Sequence, residues 1–126
     1  MSISQFRSKR KATGSRYIKG RGKKHCECGN TPIKTKVGEK KSKVVRTRGG
    51  LNKEILLKSD KMNIVNTKTK KTVIATIKNV IDNPANRNYI RANILTKGTV
   101  VETDKGKAKI TNRPGQEGTI NGIAVE

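Results

Sequence analysis

Thr72-Val73-Ile74-Ala75-Thr76-Ile77-Lys78-Asn79-Val80-Ile81 is the longest run in the chain with the side-chain period of a strand. Val73, Ala75, Ile77 and Asn79 alternate with Ile74, Thr76, Lys78 and Val80. Both faces are partly apolar, which predicts a central strand. Downstream, Thr99-Val100-Val101-Glu102-Thr103, the turn Asp104-Lys105-Gly106 and Lys107-Ala108-Lys109-Ile110-Thr111 read as a hairpin. Lys107 and Lys109 share one face of it, where phosphate can meet them. Further outward, Val44-Val45, Ile55-Leu56-Leu57, Met62 to Val65 and Thr119 to Val125 are candidate strands. Gly49-Gly50, Ser59-Asp60, Asn66 to Lys70, Lys97-Gly98, Pro114-Gly115 and Gln116 to Gly118 supply turns between them. Of 29 apolar residues in positions 43–126, 18 are Ile or Val, a bias that suits pleated strands better than helices. The expected fold is therefore mainly β, a small barrel-like body of about six to eight short strands. Asn83-Pro84 begins either a short helix toward Tyr89 and Ile94 or a turn into another strand, and the sequence leaves both open.

Ahead of this body the composition changes. Residues 1–42 hold only 10 apolar residues, whereas the first fifty carry 16 Lys and Arg against Glu27 and Glu39. Arg7, Lys9, Arg10, Lys11, Arg16, Lys19, Arg21, Lys23 and Lys24 are interleaved with Gly14, Gly20, Gly22 and Gly29. Such a segment has too little apolar surface to fold on a core of its own. It is expected to be an extended basic arm over residues 1–42, preceding a body at 43–126. Phe6, Tyr17 and Ile18 are its bulky exceptions; they either anchor the arm weakly on the domain surface or stack on exposed bases. Over the whole chain 30 basic residues oppose 9 acidic ones, a formal net charge of +21, and the physical counterpart of that charge is a polyanion. Self-repulsion lowers the stability of the free chain, and bound phosphates restore it, so better order is expected in a complex.

The same inventory excludes other classes. His25 is the single histidine, and no nucleophile and carboxylate stand at a recognisable spacing from it, so no catalytic residue is assigned and the chain is read as non-enzymatic. No phosphate-binding Gly-x-x-x-x-Gly-Lys-Ser/Thr loop is present, and neither cofactor nor small-molecule substrate is expected. His25-Cys26-Glu27-Cys28 invites a zinc reading. Zinc pairs usually have two or more residues between the cysteines and need a second pair, which is missing here, so no metal is expected. One residue between Cys26 and Cys28 also strains a disulfide, which favours a cytoplasmic setting. No apolar run is long enough for a span or signal region, and no amphipathic helix with bulky anchors is evident; membrane partners are not expected.

Basic motifs carry the positive signal. In Lys43-Val44-Val45-Arg46-Thr47-Arg48-Gly49-Gly50, an extended backbone puts Arg46 and Arg48 on one face and Val45 and Thr47 on the other. Guanidinium groups grip phosphate oxygens in pairs, and glycine allows close backbone approach. The competing reading is a solvated edge strand protected by charge. Arg87 and Arg91, beside Asn83, Asn86 and Asn88, form a second candidate patch, and Arg113-Pro114-Gly115 a third.

Several of these motifs occur together in a known order. Lys9-Arg10-Lys11-Ala12-Thr13-Gly14, Lys36-Val37-Gly38, Arg46-Thr47-Arg48-Gly49-Gly50, Asn83-Pro84-Ala85-Asn86-Arg87-Asn88-Tyr89 and Arg113-Pro114-Gly115-Gln116 resemble the archaeal/eukaryotic small-subunit ribosomal protein eight family, in its short archaeal form. That family is unrelated to the bacterial protein sharing its number. The resemblance implies a structural constituent of the small ribosomal subunit, with ribosomal RNA and neighbouring small-subunit proteins as partners, and with Lys9, Arg10, Lys11, Arg46 and Arg48 in RNA-contacting motifs. One stretch departs from it: where the family has a segment like Lys-Tyr-Glu-Leu-Gly, this chain reads His25-Cys26-Glu27-Cys28-Gly29. A free architectural DNA- or RNA-binding protein is the alternative; the absence of a helix-turn-helix or dimer seam weighs against its DNA form. An RNA-modifying enzyme is disfavoured by the missing catalytic groups.

Overall fold

Strands form the framework of the computed structural model, which describes residues 3–4, 7–18 and 20–125. Phe6 and Lys19 lie outside the described residues. Two units are distinguished, Met1–Pro32 and Ile33–Glu126.

In the first unit, β1 (Ile3–Ser4) pairs antiparallel with β2 (Cys28–Gly29), and a 3-10 turn at His25–Glu27 leads into β2. Between them the chain reverses at residues 11–15, where Lys11 N donates to Ser15 O at 2.9 Å and an isolated bridge joins Arg10 to Arg16. The basic arm thus has local structure, held by backbone hydrogen bonds together with side-chain bonds such as that from Arg10 to Gly14 O at 2.7 Å.

The second unit contains β3 (Thr35–Lys36), β4 (Lys41–Arg46), β5 (Asn52–Lys58), β6 (Lys61–Val65), β7 (Thr72–Asp82), β8 (Ile94–Leu95), β9 (Val100–Thr103), β10 (Gly106–Ile110) and β11 (Asn121–Ala124). Two single-turn helices, α1 (Asn88–Arg91) and α2 (Pro114–Glu117), interrupt them. Strands β10, β11, β6, β7 and β9 close into a five-stranded barrel, and β4, β5, β3 and β8 form a second sheet. The structure is mainly β, as the Ile and Val bias predicts. The open question over residues 84–94 resolves into both alternatives: one helical turn, then a two-residue strand.

Period-2 alternation builds the barrel interior. Met62 and Ile64 of β6, Ala75 and Ile77 of β7, Val101 of β9 and Ala108 and Ile110 of β10 are buried, with Ile120 just ahead of β11. The predicted hairpin has β9 and β10 in antiparallel register, Gly106 opposite Thr103 and Ala108 opposite Val101, with Lys107 and Lys109 exposed. Of the apolar residues on the second face of β7, Ile74 is exposed and Val80 is buried. Register shifts occur between Ile77 and Asn79 and again between Val80 and Asp82, so the inward phase passes from Ala75 and Ile77 to Val80. Bulges of this kind add twist, which a small barrel needs in order to close.

Ring closure falls to β11, which runs parallel to β6 with Asn121 opposite Asn63 and Ile123 opposite Val65. Asn63 Nδ2 donates to Asn121 Oδ1 at 3.0 Å across this seam. Gly122 is the residue that lets the strand in. A Cβ there would stand 2.7 Å from Lys109 O and 2.7 Å from Met62 Cε.

Residues 33–42, assigned to the arm on composition, fall within the second unit. Thr35 is buried and its Oγ1 donates to Leu56 O at 2.8 Å, while Lys36 pairs with Lys58 and Ile94. Their polar and basic character conceals this, because a two-residue strand is held by backbone pairing more than by apolar burial. Gly122→Ala should destabilise the chain by about 1–3 kcal/mol, since the backbone oxygen in its way cannot be displaced without moving β10. Chemical denaturation of the full chain reads this directly, and Gly20→Ala, with open space around its Cβ, serves as the neutral control.

Candidate nucleic-acid interface

Arg46 and Arg48 are set by the β4–β5 hairpin. Arg46 lies opposite Asn52, and beyond it Thr47 N and Oγ1 both donate to Leu51 O, at 2.7 and 2.8 Å, tying off the loop. Gly49 and Gly50 have φ of +86° and +84°, a conformation that glycine adopts without steric cost. Arg46 and Arg48 are exposed while Val45 and Thr47 are half-buried, the alternation expected of an extended segment. Lys43 is exposed further down the same strand. Since β4 ends the sheet, the edge-protection reading and the binding reading apply to the same side chains.

Arg113 stands at the start of α2, with Pro114 at the first helical position, where its missing N–H costs nothing. This helical turn is seated on β5: Lys53 Nζ donates to Gln116 Oε1, and Gly118 at φ +69° leaves no room for a Cβ, which would stand 2.9 Å from the Glu54 side chain. Arg113 is exposed, at the start of a helical turn that packs on β5, the strand paired with β4.

Arg87 immediately precedes α1 and Arg91 is its last residue, and both are exposed. α1 contacts β7 and β8, so this pair lies by the strand at the other edge of the sheet from β4. Asn83 does not join them at the surface. It is buried, its Nδ2 donates to Ile94 O at 3.1 Å, and its Oδ1 accepts from Ala85 N and Thr96 Oγ1, each at 3.0 Å. Asn86 Oδ1 accepts from Asn88 N at 2.9 Å, a local turn bond. These asparagines shape the loop that presents the arginines, a role that composition alone does not reveal.

In the first unit, Arg7, Lys9, Arg10, Lys11, Arg16, Arg21, Lys23 and Lys24 are exposed, as is Tyr17. The Arg7 guanidinium lies 4.4 Å from the centroid of the Tyr17 ring and Lys11 Nζ 5.7 Å from it, so the aromatic surface expected to stack on bases already has cationic neighbours. Arg7 also donates to Ile18 O at 2.8 Å and Arg10 to Gly14 O at 2.7 Å.

Glu27, the one acid of residues 1–32, is held by two guanidinium nitrogens of Arg21 and by Lys24 N at 3.3 Å. The Arg21 hydrogen bond keeps its carboxyl below the ordinary carboxylate range, with the Lys24 backbone N–H assisting. Cys26 and Cys28 are both free thiols, and Cys28 Sγ donates to Lys24 O at 3.3 Å. Among the described residues no three of His, Cys, Asp and Glu gather as a metal site, and no helix is long and apolar enough to cross a membrane.

Among the described residues, no carboxylate forms an ion pair with Arg46, Arg48, Arg87, Arg91 or Arg113. A closed β barrel with unneutralised guanidinium groups on its appended elements, following a basic arm, defines a small polycationic β-barrel protein. The chain belongs to the Ribosomal protein S8e family, whose profile matches residues 4–125. It is 47% identical over 125 residues to the small ribosomal subunit protein eS8 of Methanobrevibacter smithii, covering 99% of this chain and 100% of that one. The protein of the same name from Methanosarcina barkeri is 48% identical over 122 residues, 97% of this chain and 98% of its own. That of Nanoarchaeum equitans is 47% identical over 123 residues, 97% and 96% respectively.

Breaking the Arg21 contact should move the Glu27 titration upward. A lowered folded-state pKa contributes stability above the ordinary carboxylate range and loses it as pH falls through the lowered value. Arg21→Ala should therefore bring Glu27 back toward the ordinary range in a carboxyl-detected NMR titration, and an unmoved midpoint would show that the ion pair does not form in solution.

Proposed function

We propose that this chain is a non-enzymatic structural constituent of the small ribosomal subunit that binds folded ribosomal RNA in the cytoplasm, beside neighbouring small-subunit proteins. The single observation behind this reading is the set of exposed body arginines that form no ion pair among the described residues, carried on a chain of net charge +21. Unpaired guanidinium groups repel one another when free and are stabilised by closely spaced phosphates. The relatives, small ribosomal subunit proteins by name, supply the setting.

In this reading the barrel is a rigid platform. Arg46 and Arg48 of the β4–β5 hairpin, Lys43 of β4, Arg113 of the helical turn on β5, and Arg87 and Arg91 by β8 contact the RNA backbone. The arm contributes Arg7, Lys9, Arg10, Lys11, Arg16, Lys19, Arg21, Lys23 and Lys24, with Tyr17 available to an unstacked base. Phosphate contacts fix position and register without reading sequence, so shape governs recognition.

Arg46→Ala with Arg48→Ala should weaken binding to small-subunit RNA and make the salt dependence shallower by about two charge units. An unchanged slope means that the pair faces solvent. Sedimentation of cell extract through a gradient should place the chain with the small subunit and release it only at high salt. Equal or tighter binding to duplex DNA at physiological salt favours a free architectural protein instead.

A further inference from the structure

The arginines of the second unit are confined by the chain's topology. Every excursion from the barrel leaves from one rim. The second sheet enters through β5 into β6, α1 and β8 connect β7 to β9, and α2 connects β10 to β11. All five arginines of residues 33–126 lie on these excursions. The opposite rim has only two hairpin loops and the end of β11, and its cations are all lysines.

At that rim Lys68, Lys70 and Lys71 belong to or border the β6–β7 loop, and Lys105 and Lys107 the β9–β10 hairpin. Lys68, Lys105 and Lys107 line an open depression together with Thr67, Gly106 and Val125. The loops that carry them are fixed. Asn66 Oδ1 accepts from Lys68 N at 3.0 Å, Lys70 N donates to Asn66 O at 2.8 Å, and Thr103 Oγ1 donates to Gly106 O at 2.6 Å. Val125 N donates to Lys107 O at 3.0 Å, which pins the end of β11 beside the hairpin. Among the described residues of the β6–β7 loop and the β9–β10 hairpin the acids are Asp104 and Glu102. Asp104 Oδ1 accepts from Thr76 N at 3.0 Å, and Glu102 lies opposite Lys107 on the outer face of the hairpin.

We propose that this lysine rim is a second RNA-backbone site, so that one chain ties together two separate segments of ribosomal RNA from opposite ends of its barrel. The inference rests on the reading of the protein as an RNA-binding subunit constituent. The ligand chemistry is the phosphodiester backbone. The two loops contain no aromatic residue and no arginine, the anchors that protein interfaces favour, whereas clustered ammonium groups match a diffuse line of phosphates. A barrel between two such ends acts as a spacer of fixed length.

Tethered iron-chelate probing in assembled small subunits tests this. With Cys26→Ser and Cys28→Ser removing the native thiols, the chelate is attached through Lys105→Cys in one sample and Leu51→Cys, beside the arginine hairpin, in another. Cleavage of two different RNA segments, distant in sequence, is the expected result. Cleavage from position 51 alone, the same segment from both, or cleavage of a neighbouring protein from position 105, overturns the second site and leaves the proposed function standing. Cleavage of RNA from neither position removes both. Independently, Lys70→Gln with Lys105→Gln and Lys107→Gln should make the salt dependence of RNA binding shallower by roughly two to three units, and a slope equal to that of the unaltered chain overturns the proposal.

Discussion

A five-stranded ring has little interior to spare, and everything in the second unit depends on β11 closing it against β6. The approach is possible because Gly122 presents no side chain where Met62 Cε and Lys109 O already occupy the space. The Asn63 to Asn121 hydrogen bond then holds the parallel seam, and Ile120 fills the core immediately before it. Antiparallel hairpins assemble locally, but this pairing joins residues almost sixty positions apart. Its loop-closure cost is offset by the apolar side chains that the complete ring removes from water.

Closure also explains how so basic a protein holds a fixed surface. Charges are kept off the interior by strict alternation on β10, where Ala108 and Ile110 point inward while Lys107 and Lys109 point outward. They are kept near the core, however, because each basic loop is tied by backbone or Asx-type hydrogen bonds. The Thr47 to Leu51 bonds, the Asn83 network and the Asn66 turn each hold a cationic loop in place. Preorganisation of this kind lets binding proceed with less ordering of side chains and loops.

Strands with several alternating residues were legible in the sequence, and so was the parity of Arg46 and Arg48. Thr35–Lys36 and Ile94–Leu95 were not, because two residues carry no period and Thr35 is buried through a hydroxyl bond. β7 is paired on both sides, as its two partly apolar faces suggest, but the register shifts that turn Val80 inward are visible only in pairing. Asn83 read as part of a surface patch because a polar residue between exposed neighbours gives no sign of burial. The gathering of Lys68, Lys105 and Lys107 was hidden for another reason: it is a product of barrel topology, joining loops that are local hairpins in sequence.

The one-sided arrangement of the connections has a bearing on how this scaffold changes length. Residues added between β7 and β9, or between β10 and β11, extend loops that already leave the barrel, at an entropic cost that rises only with the logarithm of loop length. On the other rim the β9–β10 connection has no such slack, since Asp104 and Lys105 alone join the strands and any insertion there disturbs a two-residue turn. Length changes are therefore cheap in the connections that carry the arginines and costly at the β9–β10 turn of the lysine rim.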